Sequence, residues 1–307
     1  KIIHRKAGDF ATAWGFGIDL STTYQKEDWK LALVAKDVTS TFNIWNYHLT
    51  DEMINTFYLT GNDLPQNGIE LSLPRVILGA SRNFNFKNEL SLLFEINTDI
   101  TTDGRRNVLI SGEPFSIDPH LGAEFNIKNI VFIRSGIGNI QKTPDLTGKL
   151  IYTIQPNVGI GLKLKGISLE YALTDIGDAS VALYSNIFSL KFNLNPFVIT
   201  TGLRYDLVPY NDHSSISPRL AFSYLFSPIT KVNLALGKYY QTPSYWIFLN
   251  PNNTRPLKHS YSDQIVLGIE HYINSDVKMT IEWYKKNIYN RAILTSDITP
   301  NPLDAAL

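Results

Sequence analysis

The chain contains no cysteine in its 307 residues. Disulfides, thiolate nucleophiles and cysteine-ligated metals are therefore excluded. It has no excess of charge either: 28 basic residues face 28 acidic ones. The strongly basic footprint of a nucleic-acid binder is missing, and no nucleic-acid partner is expected. No apolar run approaches the roughly 18 residues of a membrane-spanning helix. That absence leaves β-barrels open, because barrel strands hide their hydrophobicity in alternation and satisfy their backbone by closing on themselves. The chain starts at Lys1 with no Met and no leader, which reads as a mature or truncated piece.

Catalytic and metal-binding patterns are also lacking. His4, His48, His120, His213, His259 and His271 are scattered, with no pair at metal-ligand spacing beside a carboxylate. Gly15-Phe-Gly17, Gly136-Ile-Gly138 and Gly159-Ile-Gly161 lack the third glycine of a phosphate loop and open no helix. Asp99 to Gly104 has only part of a calcium loop's ligand set. No G-x-S-x-G motif or nucleophile triad occurs. The expectation is a protein that is not an enzyme, with no cofactor and no metal. The competing class is an outer-membrane hydrolase barrel, for which His120 is the residue to check.

What is present is alternation. From Ile187 to Asp206, Phe188, Leu190, Phe192 and Leu194 share one parity, and Ser189, Lys191 and Asn193 the other. After Asn195-Pro196 the pattern restarts, with Phe197, Ile199, Leu203 and Tyr205 against Thr200, Gly202, Arg204 and Asp206. Period two is the mark of a β-strand, and Asn-Pro suits a tight turn. One face of this hairpin is large and apolar. The other carries Lys, Arg, Asp and Gly, which a packed core would not accept. An apolar outside and a polar inside is the pattern of a transmembrane β-barrel.

The rest of the chain follows the same rule. Phe10 to Tyr24 reads as one strand, with Trp14, Phe16, Ile18, Leu20 and Tyr24 outward and Ala11, Ala13, Gly15 and Gly17 inward. The stretch from about Phe42 to Glu70 lacks sustained alternation and reads as a loop. Further strands are expected over 71–84, 89–100, 117–127, 130–140, 157–165, 167–174, 218–226, 232–236, 265–269 and 277–283. Short connections near 26, 86, 128, 166, 195, 228 and 275 alternate with long ones near 55, 108, 146, 181, 212 and 251. Outer-membrane barrels alternate short periplasmic turns with long external loops in this way. The fold expected is all-β, an antiparallel transmembrane β-barrel of about fourteen strands, complete or open. Its inward charges are Asp19, Lys30, Arg75, Glu95, Glu124, Arg134, Lys163, Glu170, Arg204 and Arg219. They read as a self-neutralising network lining the lumen, or as a selective conduit.

Two resemblances cover different parts of the chain. Residues 4–194 resemble the PorV/PorQ family of outer-membrane barrels, relatives of the FadL transporters. The resemblance lies in H-R-K-A-G-D-F-A-T-A-W-G-F-G-I-D from His4, A-K-D-V-T-S-T-F-N-I-W from Ala35, and L-Y-S-N-I-F-S-L-K-F from Leu183. It implies a role in the type IX secretion system of Bacteroidetes-like bacteria, holding secreted cargo at the outer membrane. Secreted cargo proteins, secretion-system components and outer-membrane lipid are the partners implied. The family's N-P-A-G element is absent. Residues 195–291 resemble the barrel of a TonB-dependent receptor, through G-L-R-Y-D at Gly202, S-P-R-L-A-F-S-Y at Ser217, Y-Y-Q-T-P-S at Tyr239 and S-D-Q-I-V-L-G-I-E at Ser262. That resemblance implies import of siderophores or other nutrients. The expected division is 1–194 and 195–307, with the two portions either closing as one barrel or leaving the strands at Phe10 and Val277 as free edges.

Overall fold

The structure is a computed structural model. It describes residues 1–59, 61–144, 149–175, 184–208, 213–241, 259–275 and 277–290. In chain order the strands begin β1 (Ile2–Ala7), β2 (Ala11–Phe16), β3 (Leu20–Lys26), β4 (Trp29–Lys36) and β5 (Thr41–Tyr47). Helix α1 (Asp51–Leu59) follows, then β6 (Gly68–Ser72), β7 (Arg75–Phe86), β8 (Leu90–Thr101), β9 (Ile110–Ser111) and β10 (Ser116–Ile127). Next come β11 (Val131–Pro144), β12 (Leu150–Leu164), β13 (Ile167–Asp175), β14 (Tyr184–Leu194) and β15 (Phe197–Val208). The last are β16 (His213–Ser227), β17 (Thr230–Gln241), β18 (Ser260–Tyr272) and β19 (Lys278–Tyr289).

Fourteen strands form one hydrogen-bonded path from β19 down to β10 and on through β8, β7 and β4 to β3, with β9 attached to β10. A smaller sheet has the order β1-β2-β5-β6. The printed pairings are antiparallel, as chain reversal at tight turns dictates. By compactness the chain divides into one unit of Lys1–Ala80 with Asn97–Pro119, and another of Ser81–Ile96 with His120–Ala292. The path is open: β3 and β19 have no pairing with each other among the described residues. Both are exposed along their whole length.

Burial is inverted relative to a soluble protein. Among the described residues the buried hydrophobics are Ala11, Ala13 and Val208 alone, while the buried polar set includes Asn43, Ser185, Asp206 and Ser217. Leu162, Leu169, Phe188, Leu203, Leu220 and Leu267 are exposed. They fall on the outward parity expected from the alternation. A transmembrane strand needs about 9–11 tilted residues. β7, β8 and β10 have 12 each, and β12 and β16 have 15, enough to cross and project beyond.

The connection rhythm holds. Two-residue turns at 27–28, 165–166, 195–196 and 228–229 join consecutive strands. The expected loops around 145–148, 176–183, 209–212 and 242–258 lie outside the described residues. The hairpin of β14 and β15 pairs from Tyr184↔Leu207 to Leu194↔Phe197, so the Asn195-Pro196 turn is two residues long, as its sequence predicts.

Two expectations need correction. Phe10 to Tyr24 is not one strand. β2 pairs with β1 and β5, whereas β3 pairs with β4. The chain changes partners at Gly17-Ile18-Asp19. There the Gly17 N–H donates to Lys1 O (3.0 Å), and Ile18 O accepts from Val38 N–H (2.9 Å). Thr41 Oγ1 occupies the space where a Gly17 Cβ would stand, 1.8 Å away, so only glycine fits this crossing. Parity survives the break: Trp14, Phe16, Ile18, Leu20 and Tyr24 are all exposed.

Nor is the 42–70 stretch simply a loop. It contains β5, α1 and β6. β5 was hidden because its inward residues, Thr41 and Asn43, are polar yet buried. Thr50 caps α1, accepting from Met53 N–H at 3.3 Å, and Asp51 and Glu52 occupy its first turn. Both features favour a helix start.

Candidate functional site

The inward faces bring most of the sequence-predicted charges into pairs. In the first unit, Arg75 donates through Nη2 to Asp99. Asp19 joins a cluster with Lys1 and Asp37: Lys1 Nζ lies 3.0 Å from Asp19 Oδ1 and also bonds Asp37. Asp37 N–H donates to Asp19 at 2.9 Å, and Thr41 Oγ1 donates to Asp37. Lys30 is exposed on β4 opposite Gln25 and has no ion partner among the described residues.

In the second unit, β10 and β11 set Glu124 opposite Arg134. Arg134 Nε donates to Glu124 Oε2 at 2.6 Å, and Arg134 Nη1 reaches Glu170 on β13 at 3.5 Å. Gly159 and Gly161 on the intervening β12 make room for that reach. A Cβ on Gly161 would come within 3.3 Å of Arg134 Nη1. Further along the wall, Arg204 Nε donates to Asp206 Oδ1 at 2.7 Å, and Ser185 Oγ donates to the same oxygen. Asp206 is 3% exposed.

Three residues stand apart from these pairs. Lys163 is exposed opposite Ser168, with no ion partner among the described residues. Glu95 is half-buried on β8. Arg219 stacks on Tyr239, its guanidinium carbon 4.7 Å from the ring centroid.

The sequence reasoning left Asp99, Ser185 and Tyr239 out of the charged set, and it left Asp206 as a face residue only. It also missed Glu270, which Lys231 (2.9 Å) and Lys278 (3.2 Å) flank. Their shared parity with named residues was the available signal: Asp99 continues Glu95 and Asn97, and Asp206 follows Arg204 by two.

His120 packs against Gly138, where a Cβ would approach its Nδ1 to 2.3 Å. The described histidine contacts on side-chain hydroxyls are to threonines: His271 with Thr230 (2.9 Å) and His48 with Thr12 (3.4 Å). Among the described residues no cluster of three metal-ligating side chains occurs.

The Lys1–Asp19–Asp37 cluster lies between strands and carries a pH prediction. The hydrogen bond from Lys1 holds the Asp37 carboxyl below the ordinary carboxylate range, helped by Thr41. The Asp37 amide does the same for Asp19, with Lys1 adding to it. A carboxylate with a depressed folded pKa stabilises fully above its ordinary value, near 3.8. That contribution is lost as pH falls through the lower folded value. Amide exchange at Asp37 and Val38 is therefore expected to be flat from pH 7 to about 5 once corrected for intrinsic rates, and to accelerate below about 4. The variant Asp37→Asn should exchange fast throughout. A flat corrected profile to pH 3 would remove the cluster's role.

An antiparallel sheet with apolar outward faces, polar inward faces and alternating short and long connections is the wall of an outer-membrane β-barrel. The comparisons agree. The chain belongs to the TonB dependent receptor-like, beta-barrel family, whose model matches residues 7–305, and this is an outer-membrane family. The match runs through both portions distinguished in the sequence, including residues 4–194. The PorV/PorQ resemblance finds no support in it.

Among solved structures, one similar chain is a mutant ferric enterobactin receptor PfeA from Pseudomonas aeruginosa, in complex with enterobactin. It is 12% identical, with 94% of this chain and 52% of that chain covered and a TM-score of 0.41. A second mutant of the same receptor is 13% identical over 91% of this chain and 50% of that chain, also with a TM-score of 0.41. The chain thus spans about half the length of these receptors. No curated protein matches it.

Proposed function

We propose that this chain is barrel wall of a TonB-dependent receptor that imports a nutrient, a siderophore or another solute, rather than a type IX secretion component. The carrying observation is the family match over 7–305, joined to the inverted burial of the strands. In this reading the outward ladder contacts outer-membrane lipid, and the inward ion pairs line the import path. The protein binds and passes its solute and performs no covalent chemistry. The wall's polar groups largely satisfy one another, as in Arg134 with Glu124 and Glu170, which suits a wall better than a reaction centre.

A strain lacking the gene tests the proposal. It is expected to grow poorly when one nutrient class, such as chelated iron, limits growth, and to match a strain without energy coupling to the outer membrane. Normal growth on every limiting nutrient, together with failure to secrete proteins through the outer membrane, would establish the secretion reading instead.

A further inference from the structure

The inward arginines of the wall are not equivalent. Arg75, Arg134 and Arg204 each donate to a carboxylate. Arg219 does not. Its Nε is buried without a hydrogen-bond partner, and its one printed contact is the face of Tyr239 at 4.7 Å. A buried donor with no acceptor is costly to leave so, and a guanidinium held on an aromatic face keeps its fork of N–H groups free for a planar oxyanion.

The neighbourhood keeps that fork accessible. Arg219 is flanked across the sheet by Gly202 on β15 and Gly237 on β17. A Cβ on Gly237 would come within 2.7–2.9 Å of the Tyr239 ring, so the glycine is what lets the ring lie where it does. The row continues to Gln264 on β18 and Lys286 on β19. From Ser189 through Gly202, Arg219, Gly237 and Gln264 to Lys286 it holds two cations and no carboxylate.

We propose that Arg219, seated on Tyr239, is a binding point for an oxyanion of a solute, carboxylate or phosphate, on the inward wall formed by β15–β18. The inference rests on the reading of this face as the lined interior of a receptor barrel. The guanidinium accepts the oxyanion through two parallel N–H bonds. Gly202 and Gly237 provide the floor, and Lys286 adds positive charge along the row.

The test is a titration of the full chain, folded in detergent and labelled with nitrogen-15 on arginine. The Arg219 Nε–H signal is assigned by its loss in R219K. Added citrate is expected to move this signal saturably at millimolar concentration. The Arg134 and Arg204 signals, already committed to Glu124 and Asp206, should stay in place. Y239L should raise the half-saturation at least threefold, whereas Y239F, which keeps the ring, should leave it within twofold. Inorganic phosphate titrated alone separates the two oxyanion classes: a response to either probe supports the site and names its class. Overturning results are no saturable movement with either probe, or equal movement of all three arginines. The growth experiment does not involve Arg219, so a silent Arg219 beside a nutrient-specific growth defect would overturn this inference and leave the receptor reading standing.

Discussion

Leu203→Arg is expected to destabilise the folded chain in lipid by about 2–4 kcal/mol, the cost of a cationic side chain near the bilayer midplane. Leu203 sits mid-strand in β15, 42% exposed, paired with Phe188 on one side and Pro218 on the other. Its neighbours on the same parity, Phe197 and Leu207, are also exposed and apolar. Thr200, three residues away on the opposite face, provides the control, since it pairs with Lys191 and Ala221 on the inward side. Thr200→Arg should cost under about 1 kcal/mol, because the inward face is polar and solvated. Denaturant unfolding from vesicles, followed by tryptophan fluorescence, measures both. Equal penalties for the two variants would show that the faces are not sorted by lipid.

The second large effect concerns Asp206. It accepts from Arg204 Nε and Ser185 Oγ and is almost wholly buried. Asp206→Ala removes the only carboxylate printed beside Arg204 and leaves a largely buried guanidinium uncompensated, at a cost of about 3–5 kcal/mol. Ser185→Ala removes one hydroxyl donor and should cost about 1–2 kcal/mol. Replacing Arg204 and Asp206 together by leucine should recover most of the loss, since it is the orphaned charge, more than the missing pair, that destabilises. The same unfolding measurement decides. If the double variant is as unstable as Asp206→Ala, the pair itself supplies the stability.

The alternation determined a great deal by itself. Strand parity follows from side chains pointing to opposite faces, so Phe188, Leu203, Leu220 and Leu267 could be placed outward, and Arg134, Arg204 and Arg219 inward, from residue type alone. Turn chemistry fixed the hairpin at Asn195-Pro196 and with it the register of β14 and β15. Short connections were legible because they constrain the residues within them.

Only the tertiary structure decided which strands pair with which. Phe10 to Tyr24 keeps one parity throughout, and nothing in that pattern reveals that β2 belongs to one sheet and β3 to another. The division depends on residues distant in sequence, Lys1 and Thr41 closing on Gly17. β5 escaped notice because Thr41 and Asn43 become buried only when β2 lies beside them.

The same holds for the inward charges. Parity assigns a side chain to a face, but the distance between two charges on that face is set by cross-strand register and by the glycines between them. Gly159 and Gly161 let Arg134 reach across β12 to Glu170, whereas Gly202 and Gly237 leave Arg219 on a ring with no carboxylate at hand. The alternation marks both arginines alike. Which of them is paired depends on which acidic residue the neighbouring strands place within reach, and that is a property of the assembled sheet.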